Sequence, residues 1–380
     1  MKNTLVAPVA VTAVGLVAGC GIDAEACWLA FGKPPPPARS IQRFATVGLG
    51  AGLAHEVDGW DPSRFWNRRT AAYSTRSAQF ALKAAQECLQ QVEAGRHAGL
   101  GIVLGTQFAT LHNFHQVLSE PDYMTPLKFL SALPSSIPTN VSIACHLRGI
   151  STSVSSSVAG LEAVSYGAEL VRDGYLPSVL AGGAEELSQD LYAFCSRAGA
   201  LAVPGVSAGL VPGEAAGLLL LETLTHAAGA GREPLALLAG WGAAYAPAAE
   251  DAEGEAGARA LAGALGSAGL DIDQIGAVVC GANGSPECDA RQAAALARLG
   301  GRPVPVLALK DWTGEVFGAF GAVAVAVAAL ALARQMLPGD GAPWAAPLEA
   351  VLIYDSGWDG NHAAMVLQRI PKGEPTNGPV

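Results

Sequence analysis

Ser153-Val154-Ser155-Ser156-Ser157-Val158-Ala159-Gly160, followed by a helix-like run and then by Ala181-Gly182-Gly183-Ala184-Glu185, is the stretch on which the reading of this chain turns. Around it, short β-branched or aliphatic runs alternate with longer helical ones, the signature of an α/β protein. Ala277-Val-Val-Cys280 after a helical run over 256–268 is one example, and Val304-Pro-Val306-Leu307-Ala308 before Lys310 is another. With 380 residues, 51% hydrophobic and 15% charged, the chain can bury a large core. Abundant glycine and alanine suit helices and strands that pack closely.

Three further segments carry chemistry. They are Cys280-Gly281-Ala282-Asn283-Gly284-Ser285-Pro286 with Asp289 beyond it, Lys310-Asp-Trp-Thr313-Gly314-Glu315, and Ser356-Gly-Trp358-Asp-Gly360. In this order and spacing, the four segments resemble the β-ketoacyl-ACP synthases, thiolase-like enzymes that condense acyl and malonyl units. The resemblance implies a thiolase-like layered αβαβα fold made of two similar halves, set here at 1–230 and 231–380 with a junction near 227–234. It covers nearly the whole chain. Val9 to Gly19 matches the first strand and turn, Ala24 to Gly32 the first helix, and Gly101-Ile-Val-Leu-Gly105 a buried strand. Ile143 to Gly149 matches the approach to the nucleophile, and Gly213 to Glu222 the strand closing the first half.

The family's cysteine nucleophile sits three residues before a glycine at the start of a helix, and here that position is Ser157. The first family histidine falls on Gly281 by ungapped spacing, or on Asn283 with a two-residue slip; the second falls on Glu315. Lys310 is retained, the family's glutamate after the aspartate reads Gln292, and the phenylalanine gate falls at Trp358. Serine is a poor nucleophile without an adjacent base, because its hydroxyl titrates far above a thiol's ~8.5. Decarboxylative condensation also needs donors aimed at a developing enolate oxygen, and an ionised glutamate only accepts. Catalytic condensation by this chain alone is therefore not expected.

Among thiolase-like proteins that lack the triad, the resemblance is to chain length factors, also called ketosynthase β subunits. It implies a heterodimer with an active ketosynthase, contact with acyl carrier protein through that complex, a tunnel shaped by this subunit, and no cofactor. Phe108 falls on an acyl-pocket gate position, with Leu111 and His112 beside it on the stretch that lines the interface. Serine departs from the glutamine often found there in chain length factors of aromatic polyketide systems, and the short chain and trimmed segment over 199–209 are more similar to partner subunits of aryl-polyene and related conjugated-polyene pathways. Three other readings stay open, one of them a purely structural partner that stabilises an otherwise insoluble ketosynthase. Ser157 as the nucleophile of an acyltransferase or hydrolase would recruit His146 or His362 as base. A malonyl-ACP decarboxylase would use Asn283 as an oxyanion donor.

A net charge of −10 gives no electrostatic support to nucleic-acid binding. Seven scattered cysteines, without a CxxC pair, suggest reduced thiols and a cytoplasmic setting. No metal-ligand spacing stands out; His112 and His115 lie one helical turn apart and read as surface or interface residues. Residues 316–333 have the length and apolarity of a membrane span but read as a core helix, so no membrane insertion is expected. Val17-Ala-Gly-Cys20 resembles a lipoprotein cleavage site, yet cleavage there would remove the first strand.

Overall fold

The computed structural model describes residues 7–66, 74–90, 92, 97–338 and 347–371. Among the described residues, ten of twelve strands form one sheet. β1 (Val9–Ala18), β4 (Gly101–Thr106), β5 (Ser151–Ser155), β6 (Ser178–Glu185) and β7 (Ala215–Thr223) make its first half. β8 (Ala236–Tyr245), β9 (Ala277–Cys280), β10 (Val306–Leu307), β11 (Ala350–Ser356) and β12 (Asn361–Gln368) make the second. β2 (Arg39–Ser40) and β3 (Leu53–Ala54) pair separately as a small ribbon.

From the middle outward, the first half runs β1-β7-β6-β4-β5 and the second runs β8-β12-β11-β9-β10. The senses repeat as well. β1–β7 and β8–β12 are antiparallel, as are β7–β6 and β12–β11; the two outer pairs of each half are parallel. β1 meets β8 only over Val9↔Leu238 to Val11↔Ala236, the seam between the halves. The sequence carries no strong internal repeat, but the topology does, because strand order depends on the apolar pattern and not on residue identity.

Helices complete the layers. Arg76–Leu89 packs outside β1 and β7, and Glu255–Ala268 outside β8 and β12, while Ala159–Arg172 and Phe320–Arg334 lie together in the centre. The Phe320–Arg334 helix is apolar on every face because every face is packed; the longer apolar segment Phe317–Arg334 is 89% buried inside the protein, so its apolarity serves the core. Each fully buried valine or leucine there contributes ~1.5–3 kcal/mol relative to exposure. The two central helices approach closely at Gly160, where a Cβ would lie 2.7 Å from Ala322 N and 2.8 Å from Gly318 O. That approach seats the start of the Ala159–Arg172 helix, and with it Ser157, deep between the halves. β1 is buried along all ten residues at the sheet's middle, as its near-continuous apolar run requires.

Candidate functional site

A cavity of about 640 Å³ opens where the start of the Ala159–Arg172 helix faces the loops following β9 and β11. It gathers residues from segments far apart in the chain, including Ser157, Asn283, Lys310, Glu315 and Trp358. Gly281 is not in its wall. Its backbone is pressed against the interior, where a Cβ would lie 2.6 Å from Asp355 Oδ1 and 3.3 Å from the Phe320 ring. Of the two loop positions considered, Asn283 is therefore the one that presents a side chain to the cavity.

Ser157 is buried, and its Oγ donates to Asp359 Oδ1 at 2.6 Å. Asp359 also accepts from Asn361 N at 3.2 Å and Asn361 Nδ2 at 2.8 Å, which fixes the carboxylate. The loop carrying Asp359 lies directly on the serine: a Cβ on Gly357 would fall 1.8 Å from Ser157 Oγ. Only glycine permits that approach. Neither histidine considered as a base lines the cavity. His362 Nδ1 bonds the Tyr354 hydroxyl at 2.9 Å, and His146 is the left-handed cap of the Ser136–Cys145 helix, φ 57°. Among the described residues no histidine lines the cavity. A carboxylate is a far weaker base than imidazole, so the Ser157–Asp359 contact positions the hydroxyl without activating it.

Across the cavity, Lys310 Nζ donates to Glu315 Oε2 at 2.8 Å, and both side chains are buried. Asn283 Nδ2 donates to the same oxygen at 2.6 Å, and Phe317 N donates to Glu315 Oε1 at 2.7 Å. Burial works against the Lys310 charge, yet the carboxylates of Glu315 and Asp355 outweigh it and hold the ammonium above its ordinary value. The Lys310 ammonium also stands 4.4 Å from the Phe320 ring centroid. Asp355 carries the counterpart of that burial. Desolvation pushes its carboxyl up to about 7, with Lys310 pulling the other way. At Glu315 the site thus presents a carboxylate acceptor, and the lysine of its wall is answered by that carboxylate.

Phe108 lies behind this wall. Its ring packs edge-on to Phe317 at 5.3 Å and tilted against Phe194 at 5.8 Å, and Phe194 meets Trp358 at 6.1 Å. This aromatic row joins the start of the Leu111–Ser119 helix to the cavity mouth, where Trp358 is exposed. Leu111 packs partly buried against the same cluster. His112 Nδ1 and His115 Nδ1 both reach Asp190, at 2.6 and 2.7 Å, tying their helix to Gln189–Arg197. Among the described residues no His, Cys, Asp or Glu group has the arrangement of a metal site. The backbone of Phe108 is fixed by Glu185, which accepts from Thr106 Oγ1, Phe108 N and Gln107 N. Burial pushes the Glu185 carboxyl up to about 8 despite those donors.

Sequence reading did not single out Asp359, Asp355 or Arg291. Asp359 sits inside the quoted Ser356–Gly360 segment, but nothing local pairs it with Ser157, 202 positions away.

The chain belongs to the β-ketoacyl synthase family: residues 7–227 match the family's N-terminal domain and residues 235–340 its C-terminal domain. It is 28% identical to the tetracenomycin polyketide synthase ketoacyl synthase beta subunit of Streptomyces glaucescens, over 96% of this chain and 98% of that one. It is also 27% identical to 3-oxoacyl-[acyl-carrier-protein] synthase 2 of Vibrio cholerae, over 87% of each. The ishigamide ketosynthase/chain length factor superposes with a TM-score of 0.86 at 24% identity, covering 96% of this chain and all of that one. The fold is thiolase-like, and relatives among type II polyketide ketosynthase β subunits stand beside relatives that are synthases.

Proposed function

We propose that this chain is the non-catalytic chain length factor of a type II polyketide or polyene system, pairing with an active ketosynthase and meeting acyl carrier protein through that complex. The observation that carries the reading is the state of its site. Ser157 is tied to Asp359 under a glycine loop, and Glu315 is held by Lys310 and Asn283 where condensation needs a donor. Acyltransferase or hydrolase chemistry at Ser157 lacks a base, and decarboxylation by Asn283 is opposed because its amide lies against the Glu315 carboxylate, whose charge would repel an enolate.

Pairing is supported by the outer edge of the first half-sheet. β5 ends the strand order with a five-residue edge, and apolar side chains stand exposed on the helices before it: Phe114, Leu118, Leu127, Phe129 and Ile143. An edge of that length beside an apolar surface is a template for another chain. A partner gains the open strand edge and covers that surface, while Phe108, Phe194 and Trp358 lie on the path toward the cavity. The aryl-polyene subtype rests on the short segment over 199–209, whose residues Gly199, Ala200, Ala208 and Gly209 form one cavity wall. The cytoplasm is the expected compartment for such a complex.

Co-expression with a catalytic ketosynthase from the same pathway tests this reading. A one-to-one complex that elongates acyl chains from malonyl-ACP, with product length shifted by Phe108→Ala, is the expected result. Separate elution of the two chains would overturn it.

A further inference from the structure

Seven thiols are scattered through this chain, and Cys20 has a second one beside it. Five of the cysteines are buried, while Cys20 and Cys288 are partly exposed. Burial pushes the Cys145 and Cys195 thiols up to about 12, which leaves them protonated and unreactive. Cys288 lies in the cavity wall, whereas Cys20 stands outside it, in the turn that follows β1.

That turn is tight. Ala18 N donates to Gly21 O at 2.7 Å, and Gly21 N returns a bond to Ala18 O at 3.0 Å. Asp23 then caps the Ala24–Phe31 helix, accepting from Ala26 N at 2.7 Å, and its carbonyl accepts from Cys27 N at 3.0 Å. The first helical turn is thereby folded back over Gly21, where a Cβ would lie 2.6 Å from Cys27 N. Cys27 Sγ donates to Gly21 O at 3.4 Å and is within hydrogen-bonding reach of the Cys20 sulfur. Two sulfurs in reach of one another at the ends of one tight turn are placed to be bridged.

The two thiols are not equivalent. A hydrogen bond from Cys27 pulls the partly exposed Cys20 thiol below its ordinary value, against its burial. The buried Cys27 thiol is pushed well above its own by the Cys20 sulfur and by desolvation, with the Asp23 and Glu87 carboxylates adding to both. Cys20 is suited to begin a reaction as a thiolate, and Cys27 to complete it.

We propose that Cys20 and Cys27 form a peroxide-responsive pair, Cys20 reacting with a small hydroperoxide and Cys27 closing a disulfide. With hydrogen peroxide, the Cys20 thiolate attacks one oxygen, the O–O bond breaks, and the departing hydroxide takes a proton to become water. Cys20 is then a sulfenic acid. The Cys27 sulfur attacks the Cys20 sulfur, and the sulfenic oxygen leaves with the Cys27 proton as a second water. Two thiols have lost two electrons and two protons, and the peroxide is reduced to water. A dithiol reverses the change by exchange. The bridge joins the end of β1 to the helix whose Phe31 packs edge-on to Trp312 at 6.1 Å, beside Lys310.

Mass-spectrometric thiol mapping of the full chain after hydrogen peroxide, with remaining thiols blocked by N-ethylmaleimide, tests the proposal. A Cys20–Cys27 disulfide that dithiothreitol reverses is expected, with Cys20 consumed about tenfold faster than Cys288 or more. Cys27→Ser should halt the sequence at the Cys20 sulfenic acid, which a cyclic diketone traps. Cys20→Ser should leave Cys27 unoxidised. If no Cys20–Cys27 disulfide forms, if Cys288 is oxidised as fast as Cys20, or if Cys27 still reacts in Cys20→Ser, the proposal is wrong. Should the buried Cys27→Ser change prevent folding, mapping of the parent and of Cys20→Ser still decides. Neither cysteine belongs to the cavity or to the β5 side, so failure here leaves the proposed function standing.

Discussion

The two half-sheets share one strand order and one set of senses, but they end differently. The second half closes on β10, two residues long and paired only through Val306↔Val278 and Leu307↔Val279. The first closes on β5, five residues paired along their whole length to β4, with the other edge open and exposed apolar side chains on the helices before it. A stub of two residues is a blunted edge; a full strand beside an apolar surface is an invitation to pair. The two edges hold equivalent places in the strand order, and among the described residues it is the β5 edge that is a full strand.

The largest expected effect breaks this contrast at the β5 side. Leu118→Glu combined with Ile143→Glu should abolish co-purification with the ketosynthase while leaving the isolated chain's melting temperature nearly unchanged, because both side chains are exposed. Val306→Glu at the other edge should leave the complex intact on the same size-exclusion column. Equal loss from both edges would erase the distinction.

The halves also divide the site. The first contributes Ser157, and the second contributes Asn283, Lys310, Glu315 and Asp359. Glu315→Ala leaves the Lys310 ammonium buried without its partner and should lower stability in denaturant titrations by about 3–5 kcal/mol. An unchanged unfolding midpoint would show that the pair is not a structural element.

Glu185 offers a smaller, pH-dependent effect on the first-half side. The folded protein holds its proton more tightly than the unfolded chain, whose carboxyl titrates near 4.5. Its contribution to stability is therefore complete below that value and is lost as pH rises through about 8. Glu185→Gln keeps an oxygen for Thr106, Gln107 and Phe108 and should remove this slope, which reaches about 1 kcal/mol per pH unit for one proton. Denaturant titrations at about pH 5.5 and about pH 8.5 would show the variant gaining on the parent as pH rises; a parallel dependence would contradict the assignment. The smallest effect is expected from Ser157→Ala, which removes one hydrogen bond to a carboxylate already held by Asn361, a cost of about 1–2 kcal/mol.

Sequence carried the fold well because it is written in local signals: apolar runs for strands, helical runs between them, and glycines where segments cross. Ser157, Asn283, Lys310, Glu315 and Trp358 were legible for the same reason, as each sits in a short motif at fixed spacing, and the cavity brings all five together. What remained hidden depends on distance. Asp359 pairs with Ser157 across the two halves, and Gly281 faces inward because Asp355 and Phe320 press on it. Neither of these leaves a periodicity or a spacing to read. The matching order of the half-sheets was hidden too, since it survives in pairing sense after residue identity has diverged.

On the proposed function, Ser157 at the nucleophile position serves as a structural contact to Asp359. Elongation of malonyl-ACP by the assembled complex, comparing parent chain with Ser157→Ala, tests it most directly. Unchanged turnover and product length are the predicted result. Turnover that disappears with the Ser157 hydroxyl would mean that this chain performs acyl chemistry of its own.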